Sequence, residues 1–175
     1  MMQACRYESP LGSILIYADG EGIARMRFER DRHHQEGQEA EISDDSSPIL
    51  DDARRWLDEY FKGKEPSWTP ALHITGSDFE KEVCSILLRI PYGRTRTYGD
   101  IANEIARKRG GRMSSQAVGG AVGRNPVCII VPCHRVMGAN GNLTGYGGGL
   151  DRKVALLTLE KADMEGFHLP NPRKA

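Results

Sequence analysis

The 175-residue chain contains no apolar run approaching the roughly 20 residues that a helix needs to cross a bilayer. Its N-terminal stretch lacks the basic, then apolar, then small-residue order of a secretory signal. A protein of the cytoplasm (or of the nucleus, in a eukaryote) with no membrane partner is the expectation. There is no Cys-x-x-Cys pair either. The four cysteines, Cys5, Cys84, Cys128 and Cys133, are not spaced as a disulfide framework. No heptad repeat is visible, so a monomer is expected. Net charge is also absent, since 24 Lys+Arg balance 24 Asp+Glu. What remains is an ordinary globular composition, 39% hydrophobic and 27% charged, long enough for one large domain or two small ones.

The zero net charge conceals a division. Residues 1–70 carry nine Lys+Arg against fifteen Asp+Glu, a net −6. Residues 89–135 carry nine Lys+Arg against Asp100 and Glu104, a net +7. Such polarity fits a basic half that meets a polyanion. A merely solvated basic surface would look the same by charge alone.

Along the chain, Gly12–Ala18 and Gly22–Phe28 read as a hairpin around the turn Asp19-Gly20-Glu21. The acidic stretch Arg30–Ser47, without aromatics, reads as a mobile loop. Ser47-Pro48 then starts a helix that Gly63 stops, with Ile49, Leu50, Ala53, Trp56, Leu57, Tyr60 and Phe61 on one stripe. Lys64–Ile74 connects to a second unit. That unit opens with Ser77-Asp78-Phe79-Glu80, a capping-box pattern, before Val83, Ile86, Leu87 and Ile90 at helical spacing. Thr97-x-x-Asp100 repeats the pattern for a helix broken by Gly110-Gly111, and Ser114-Ser115 caps a third over about Gln116–Gly123. Three short helices with tight turns suggest a helix-turn-helix. The apolar run Val127–Val131 reads as a buried strand delivering Pro132-Cys133-His134-Arg135. Gly138–Gly149 holds six glycines, which allows backbone to approach a ligand closely. A final helix, capped by Asp151, runs to about Lys161, and Pro170–Ala175 is expected to be disordered.

Chemistry centres on Cys133. A cysteine becomes a nucleophile when something stabilises its thiolate, usually an adjacent base. His134 follows it in the chain, but successive residues at a strand end point to opposite sides, so a direct contact and a bridging water are both open. Glu160 is placed to orient the imidazole. Cys84, in an apolar helix, reads as a buried small hydrophobe. A thiol hydrolase or redox protein is disfavoured by the missing Cys-x-x-Cys.

The longer string is more specific. Asn125-Pro126-Val127, then Ile129-Ile130-Val131-Pro132-Cys133-His134-Arg135-Val136, then Gly141-x-x-Thr144-Gly145-Tyr146-x-Gly148-Gly149 together resemble the O6-alkylguanine-DNA alkyltransferases, or methylated-DNA–protein-cysteine methyltransferases. The resemblance spans about Phe79 to Glu160 and continues more faintly through Ser9-Pro10-Leu11-Gly12 and the Trp56–Phe61 helix. It implies an N-terminal α/β domain with a small antiparallel sheet, over residues 1–74. It also implies a mainly α C-terminal domain over residues 75–175, a helix-turn-helix (winged-helix-like) unit carrying the active-site cysteine. The implied reaction is a single-turnover transfer of an alkyl group from guanine O6 (with O4-alkylthymine a further candidate) in double-stranded DNA to Cys133. No cofactor is involved. A non-catalytic lesion-binding relative is the alternative, against which the presence of Cys133 counts.

By the same resemblance, His134 activates Cys133 through a water, Glu160 holds the histidine, and Asn125 braces the turn between recognition helix and active-site strand. Tyr98 crowds the phosphate of the stacked nucleotide, and Val136, Tyr146 and Gly147 line the pocket of the flipped base, with the Tyr146 hydroxyl set to help neutralise the departing guanine. Gln116, Ala117, Gly120, Arg124 and Arg135 are implied to meet DNA. The lesion lies inside the stacked duplex, so the nucleotide must rotate out, which is cheaper for a damaged base. The recognition helix Ala117-Val118-Gly119-Gly120-Ala121 has little bulk, and the resemblance implies that it lies in the minor groove, where sequence is poorly read.

Three positions depart from the family's pattern. Gln116 stands where an arginine usually enters the base stack. Ala106–Ser115 is longer and more basic, with Arg112 a candidate for the missing charge. Gly147 replaces a serine of some members. The structural zinc of some relatives is not expected, because Cys5 and His73 have no further Cys or His partners in the pattern and His33-His34 lie in the acidic loop.

Overall fold

A computed structural model describes residues 2–29 and 46–170. Nearly all of the acidic segment read as a mobile loop, and the tail 171–175, lie outside the described residues. The chain divides into two compact units. One comprises residues 1–75 together with 126–130, and the other residues 76–125 together with 131–175. The 126–130 excursion separates this division from a single boundary at residue 74.

In the first unit, β1 (Gln3–Ser9), β2 (Gly12–Ala18) and β3 (Ile23–Phe28) form an antiparallel sheet in the order β1-β2-β3. The hairpin read from sequence is β2–β3, and β1 extends it. Cross-strand pairs Cys5↔Ile16, Tyr7↔Ile14, Ile14↔Phe28 and Ile16↔Met26 set one apolar face. Leu15 and Tyr17 cluster with Ala4 on the other. Helix α1 (Pro48–Phe61) starts where Ser47 accepts a hydrogen bond from the Leu50 amide, with Pro48 in the first turn. Tyr7 stacks on Phe61 and donates its hydroxyl to Asp58, tying α1 to the sheet.

The segment Val127–Val131 is buried, but it is not the expected strand. Met26 N–H donates to Pro126 O, and Cys128 N–H donates to Met26 O. The chain then turns at Ile129, whose φ is +71°, with the Ile130 amide donating to Cys128 O at 2.9 Å. Positive φ in a β-branched residue is a strained conformation that L-residues rarely adopt. Apolarity here reported burial, not backbone shape.

In the second unit, α2 (Asp78–Leu88) is capped by Ser77. β4 (Arg96–Thr97) leads into α3 (Tyr98–Arg109), where Thr97 and Asp100 form a reciprocal capping box. Gly110 ends α3 in the left-handed region at φ +68°. Ser114 caps α4 (Ser115–Gly123). Val83, Ile86 and Leu87 of α2, Ile101 and Ile105 of α3, and Val118, Ala121 and Val122 of α4 make the core of this helix-turn-helix. β5 (Val136–Met137) pairs in parallel with β4, Arg96↔Val136 and Thr97↔Met137. α5 (Leu150–Leu159) closes the unit. Its N-cap is Gly149, so Asp151 complements the helix dipole in the first turn instead of capping it. Among the described residues, no helix is long and apolar enough to cross a membrane, and no group of three or more His, Cys, Asp or Glu is arranged to hold a metal ion.

Candidate active site

The chain reaches Cys133 through a tight turn at Pro132. There φ −81° and ψ 66° are the values of an inverse γ-turn, and the Cys133 amide donates to Val131 O at 2.8 Å. Proline suits that position because its ring already fixes φ near the required value. Asn125, just after the C-cap of α4, donates its side-chain N–H to the same Val131 carbonyl at 2.9 Å, so both ends of the 126–130 excursion are held together.

Cys133–Arg135 form one 3-10 turn, not the extended strand end expected from sequence. With three residues per turn, neighbouring side chains diverge by about 120°. Cys133 is buried, and His134 completely so. His134 Nε2 lies 2.6 Å from Glu160 Oε2, at the C-cap of α5.

Glu160 is the anchor of the site. Besides His134, its carboxylate accepts from Arg135 Nε at 2.8 Å and Nη2 at 3.1 Å, and from the Gly93 amide at 3.2 Å. Burial alone would raise its pKa, but the bonds to His134 and Arg135 outweigh burial and hold the carboxyl at about 2. Burial pushes the His134 pKa down against the opposing pull of Glu160. The imidazole is therefore neutral. Because the ionised carboxylate is acceptor-only, Nε2 carries the proton and Nδ1 the basic lone pair.

Arg135 is the clear departure from the expected DNA surface. It is 8% exposed, forks onto Glu160, and donates Nη1 to Ile90 O at 2.7 Å. Its cation is spent balancing a buried carboxylate, a pairing invisible to a charge count that stopped at residue 135.

Lys153 was not singled out in the sequence. It is fully buried, and its Nζ donates to Val136 O at 2.6 Å and Thr144 O at 2.8 Å, joining β5 to the glycine-rich loop. Burial lowers its pKa to about 8, while negative charge on Cys133 pushes the other way. The sequence signal was faint: a lysine at a position of α5 where the helix turns its apolar side inward.

Tyr98, at the start of α3, donates its hydroxyl to Thr144 O at 3.2 Å. Burial, with negative charge on Cys133 as a second cause, raises its pKa to about 12. The same two causes, followed by Glu80, raise the Cys84 thiol to about 11, consistent with an inert buried residue. Close approach of the loop to Tyr98 requires Gly145, where φ is +72° and a Cβ would sit 2.9 Å from the Tyr98 hydroxyl. Val136 and Tyr146 are buried and Gly147 partly so.

On α4, Gln116 and Ala117 are exposed, Gly120 is partly exposed, and Arg124 is exposed at the C-cap with Nε 3.5 Å from Glu80. The outward face of α4 is thus a row of small side chains interrupted by one glutamine. A buried cysteine followed in the chain by a carboxylate-held neutral histidine, on a helix-turn-helix unit, is the makeup of a cysteine-nucleophile protein built on a nucleic-acid-binding type of fold.

Comparison with known proteins gives the family. Residues 78–162 match the DNA-binding domain of 6-O-methylguanine DNA methyltransferase, and residues 5–72 match its ribonuclease-like domain. The chain is 45% identical over 154 residues to the methylated-DNA–protein-cysteine methyltransferase of Methanosarcina acetivorans, covering 88% of this chain and 95% of that one. It is 41% identical over 160 residues to the Mycobacterium tuberculosis protein of the same name, covering 89% and 90%. The crystal structure of Mycobacterium tuberculosis O6-methylguanine methyltransferase superimposes with a TM-score of 0.77 at 40% identity, over 92% of this chain and 93% of that one. The structure of the Mycobacterium tuberculosis OGT in complex with DNA gives 0.76 at 37% identity, over 94% and 98%. The chain belongs to the methylated-DNA–protein-cysteine methyltransferase family, and is a direct-reversal DNA-repair protein that takes the alkyl group of O6-alkylguanine onto a cysteine.

Proposed function

We propose that Cys133 is the acceptor and that His134, held by Glu160, is its base. The carrying observation is the 2.6 Å contact between His134 Nε2 and a carboxylate held ionised, which fixes the tautomer with Nδ1 as proton acceptor. Because Cys133 and His134 are successive residues of a 3-10 turn and diverge, the thiol proton passes to Nδ1 through one bridging water. The thiolate sulfur then donates its electron pair to the alkyl carbon, the S–C bond forms as the C–O6 bond breaks, and guanine leaves with the electron pair of the broken C–O6 bond. A proton from the Tyr146 hydroxyl in the glycine-rich loop neutralises the departing base, and the proton taken up by His134 balances the one Tyr146 gives up. The Lys153 ammonium favours the thiolate electrostatically before transfer. The product thioether is not hydrolysed by water, so each molecule acts once.

In this reading the outward face of α4, with Gln116, Ala117, Gly120 and Arg124, meets duplex DNA. Tyr98 stands where the extruded nucleotide turns, and Val136, Tyr146 and Gly147 line its pocket. Arg135 serves the anchor and not the DNA. Incubation with a duplex carrying O6-methylguanine tests the reading. The intact protein should gain the mass of one methyl group, mapped to Cys133 and lost in Cys133→Ala. DNA binding with no gain of mass would leave a lesion-recognition protein instead.

A further inference from the structure

Helix α3 ends in Arg107, Lys108 and Arg109. After Gly110 and Gly111, Arg112 stands two residues before the N-cap of α4. All four cations are exposed, but they are not equivalent. Glu104 is shared by Arg89 at 2.8 Å, Arg96 at 3.0 Å and Lys108 at 3.7 Å. Glu82 holds Arg109 at 2.8 Å, and the same guanidinium lies over the Phe79 ring. Glu80 faces Arg124 and Ser77, and Asp100 is committed to the Thr97 amide. Among the described residues, no carboxylate pairs with Arg107 or Arg112.

The backbone between these two arginines is not free to bind an anion. The Gly110 and Gly111 amides both donate to Ala106 O. What it offers is room, since a Cβ at either glycine would meet nothing within 4 Å. The result is a low, side-chain-free crest flanked by two uncommitted guanidinium groups, leading straight into the helix whose outward face is small and smooth. Guanidinium is planar, permanently charged, and forks onto phosphate oxygens. An exposed arginine already paired with a carboxylate would have to give up that partner to bind phosphate; Arg107 and Arg112 have no such partner among the described residues.

We infer that Arg107 and Arg112 each grip a backbone phosphate of duplex DNA beside the N-terminal end of α4, holding that helix against the groove without reading sequence. This rests on the function proposed above. It gives the α3–α4 turn a specific role: contacts that are blind to base identity suit a protein whose target can occur anywhere.

The test is binding of an undamaged duplex, so that no transfer intervenes, followed by fluorescence anisotropy over a salt series. Each neutralised phosphate contributes about 0.9 to the slope of log K against log salt. Arg107→Gln and Arg112→Gln should each reduce the slope by about 0.9, and the double variant by about 1.8. Lysine at both positions should restore most of it, because the charge is kept. Thermal unfolding midpoints equal to the parent's confirm that each variant is folded. A folded double variant with the parent's slope overturns the inference. Methyl transfer by the parent chain is measured in parallel: transfer with an unaltered slope in the variants refutes only this contact, whereas no transfer and no DNA binding refutes the function itself.

Discussion

Replacing Glu160 with glutamine keeps the size of the side chain, removes its charge, and turns one of its two acceptor oxygens into a donor. The four hydrogen bonds converging on the carboxylate, from His134, Arg135 twice and Gly93, all come from donors. An amide NH2 must therefore face at least one of them. If it faces His134, it donates to Nε2, the tautomer reverses, and Nδ1 carries the proton, so the base is lost. In either orientation the NH2 also faces an Arg135 N–H, because Arg135 contacts both oxygens, and the buried guanidinium loses its counter-charge. The cost follows two ways. The Glu160 carboxyl sits at about 2, against about 4.3 in an unfolded chain, which corresponds to ~3 kcal/mol of stability at pH 7. Removing one partner of a buried ion pair typically costs about 3–5 kcal/mol. The side chain is fully buried, so solvent screening takes little away.

Urea unfolding of Glu160→Gln at pH 7 should therefore show ~3 kcal/mol lower stability with an unchanged m-value. The depressed carboxyl pKa makes this contribution full above about pH 4.3 and lost as pH falls towards 2, so the gap between parent and variant should close on acidification. Single-turnover methylation followed by intact mass should slow by about 10²–10⁴-fold, the usual worth of a general base. Affinity for undamaged duplex should be unaltered. A variant within about 0.5 kcal/mol of the parent, methylated at the parent's rate, would refute the assignment of Glu160 as anchor.

Asn125→Ala removes one of the two donors to the buried Val131 carbonyl, the Cys133 amide remaining, and should cost about 0.5–1.5 kcal/mol while slowing transfer; an unchanged unfolding midpoint and rate would remove Asn125 from the brace. Gly145→Ala puts a Cβ 2.9 Å from the Tyr98 hydroxyl at φ +72°, for which a loss of about 1–2 kcal/mol and slower transfer are expected. A midpoint equal to the parent's would show that the loop gives way freely. Gln116→Arg adds a cation on the exposed face of α4 and should speed repair of duplex DNA by roughly tenfold, ~1.5 kcal/mol, with little change on single strands. No gain, or a loss, on duplex would mean that residue 116 is not the one that enters the stack.

The elements with local chemical causes were readable from sequence. Ser47-Pro48, Ser77 and Thr97-x-x-Asp100 cap helices in the structure because a short polar side chain next to its own backbone amides needs no tertiary information. The short strand β1 was missed. Its burial is confined to Ala4 and Cys5, and the alternation of Cys5 and Tyr7 with Arg6 and Glu8 is too brief to mark a strand. Ile129 shows a different limit: five apolar residues announce burial, but the positive φ that breaks the strand depends on where the chain must go next. For the site, the string around Cys133 anticipated the contact of His134 with Glu160 across 26 positions. Arg135 and Lys153 were misplaced or overlooked for one physical reason. A buried cation looks like a surface cation until its partners are known, and those partners, Glu160 for one and backbone carbonyls for the other, are distant in the chain or carry no sequence signal.

Cys133 as the acceptor is the central claim, and it is tested most directly by intact mass and peptide mapping after incubation with a stoichiometric duplex containing O6-methylguanine. The account predicts one methyl group per protein molecule, located on Cys133, with Cys133→Ala unmodified and Cys5, Cys84 and Cys128 untouched. Methyl on any other cysteine, or binding of the lesion with no gain of mass, would contradict it.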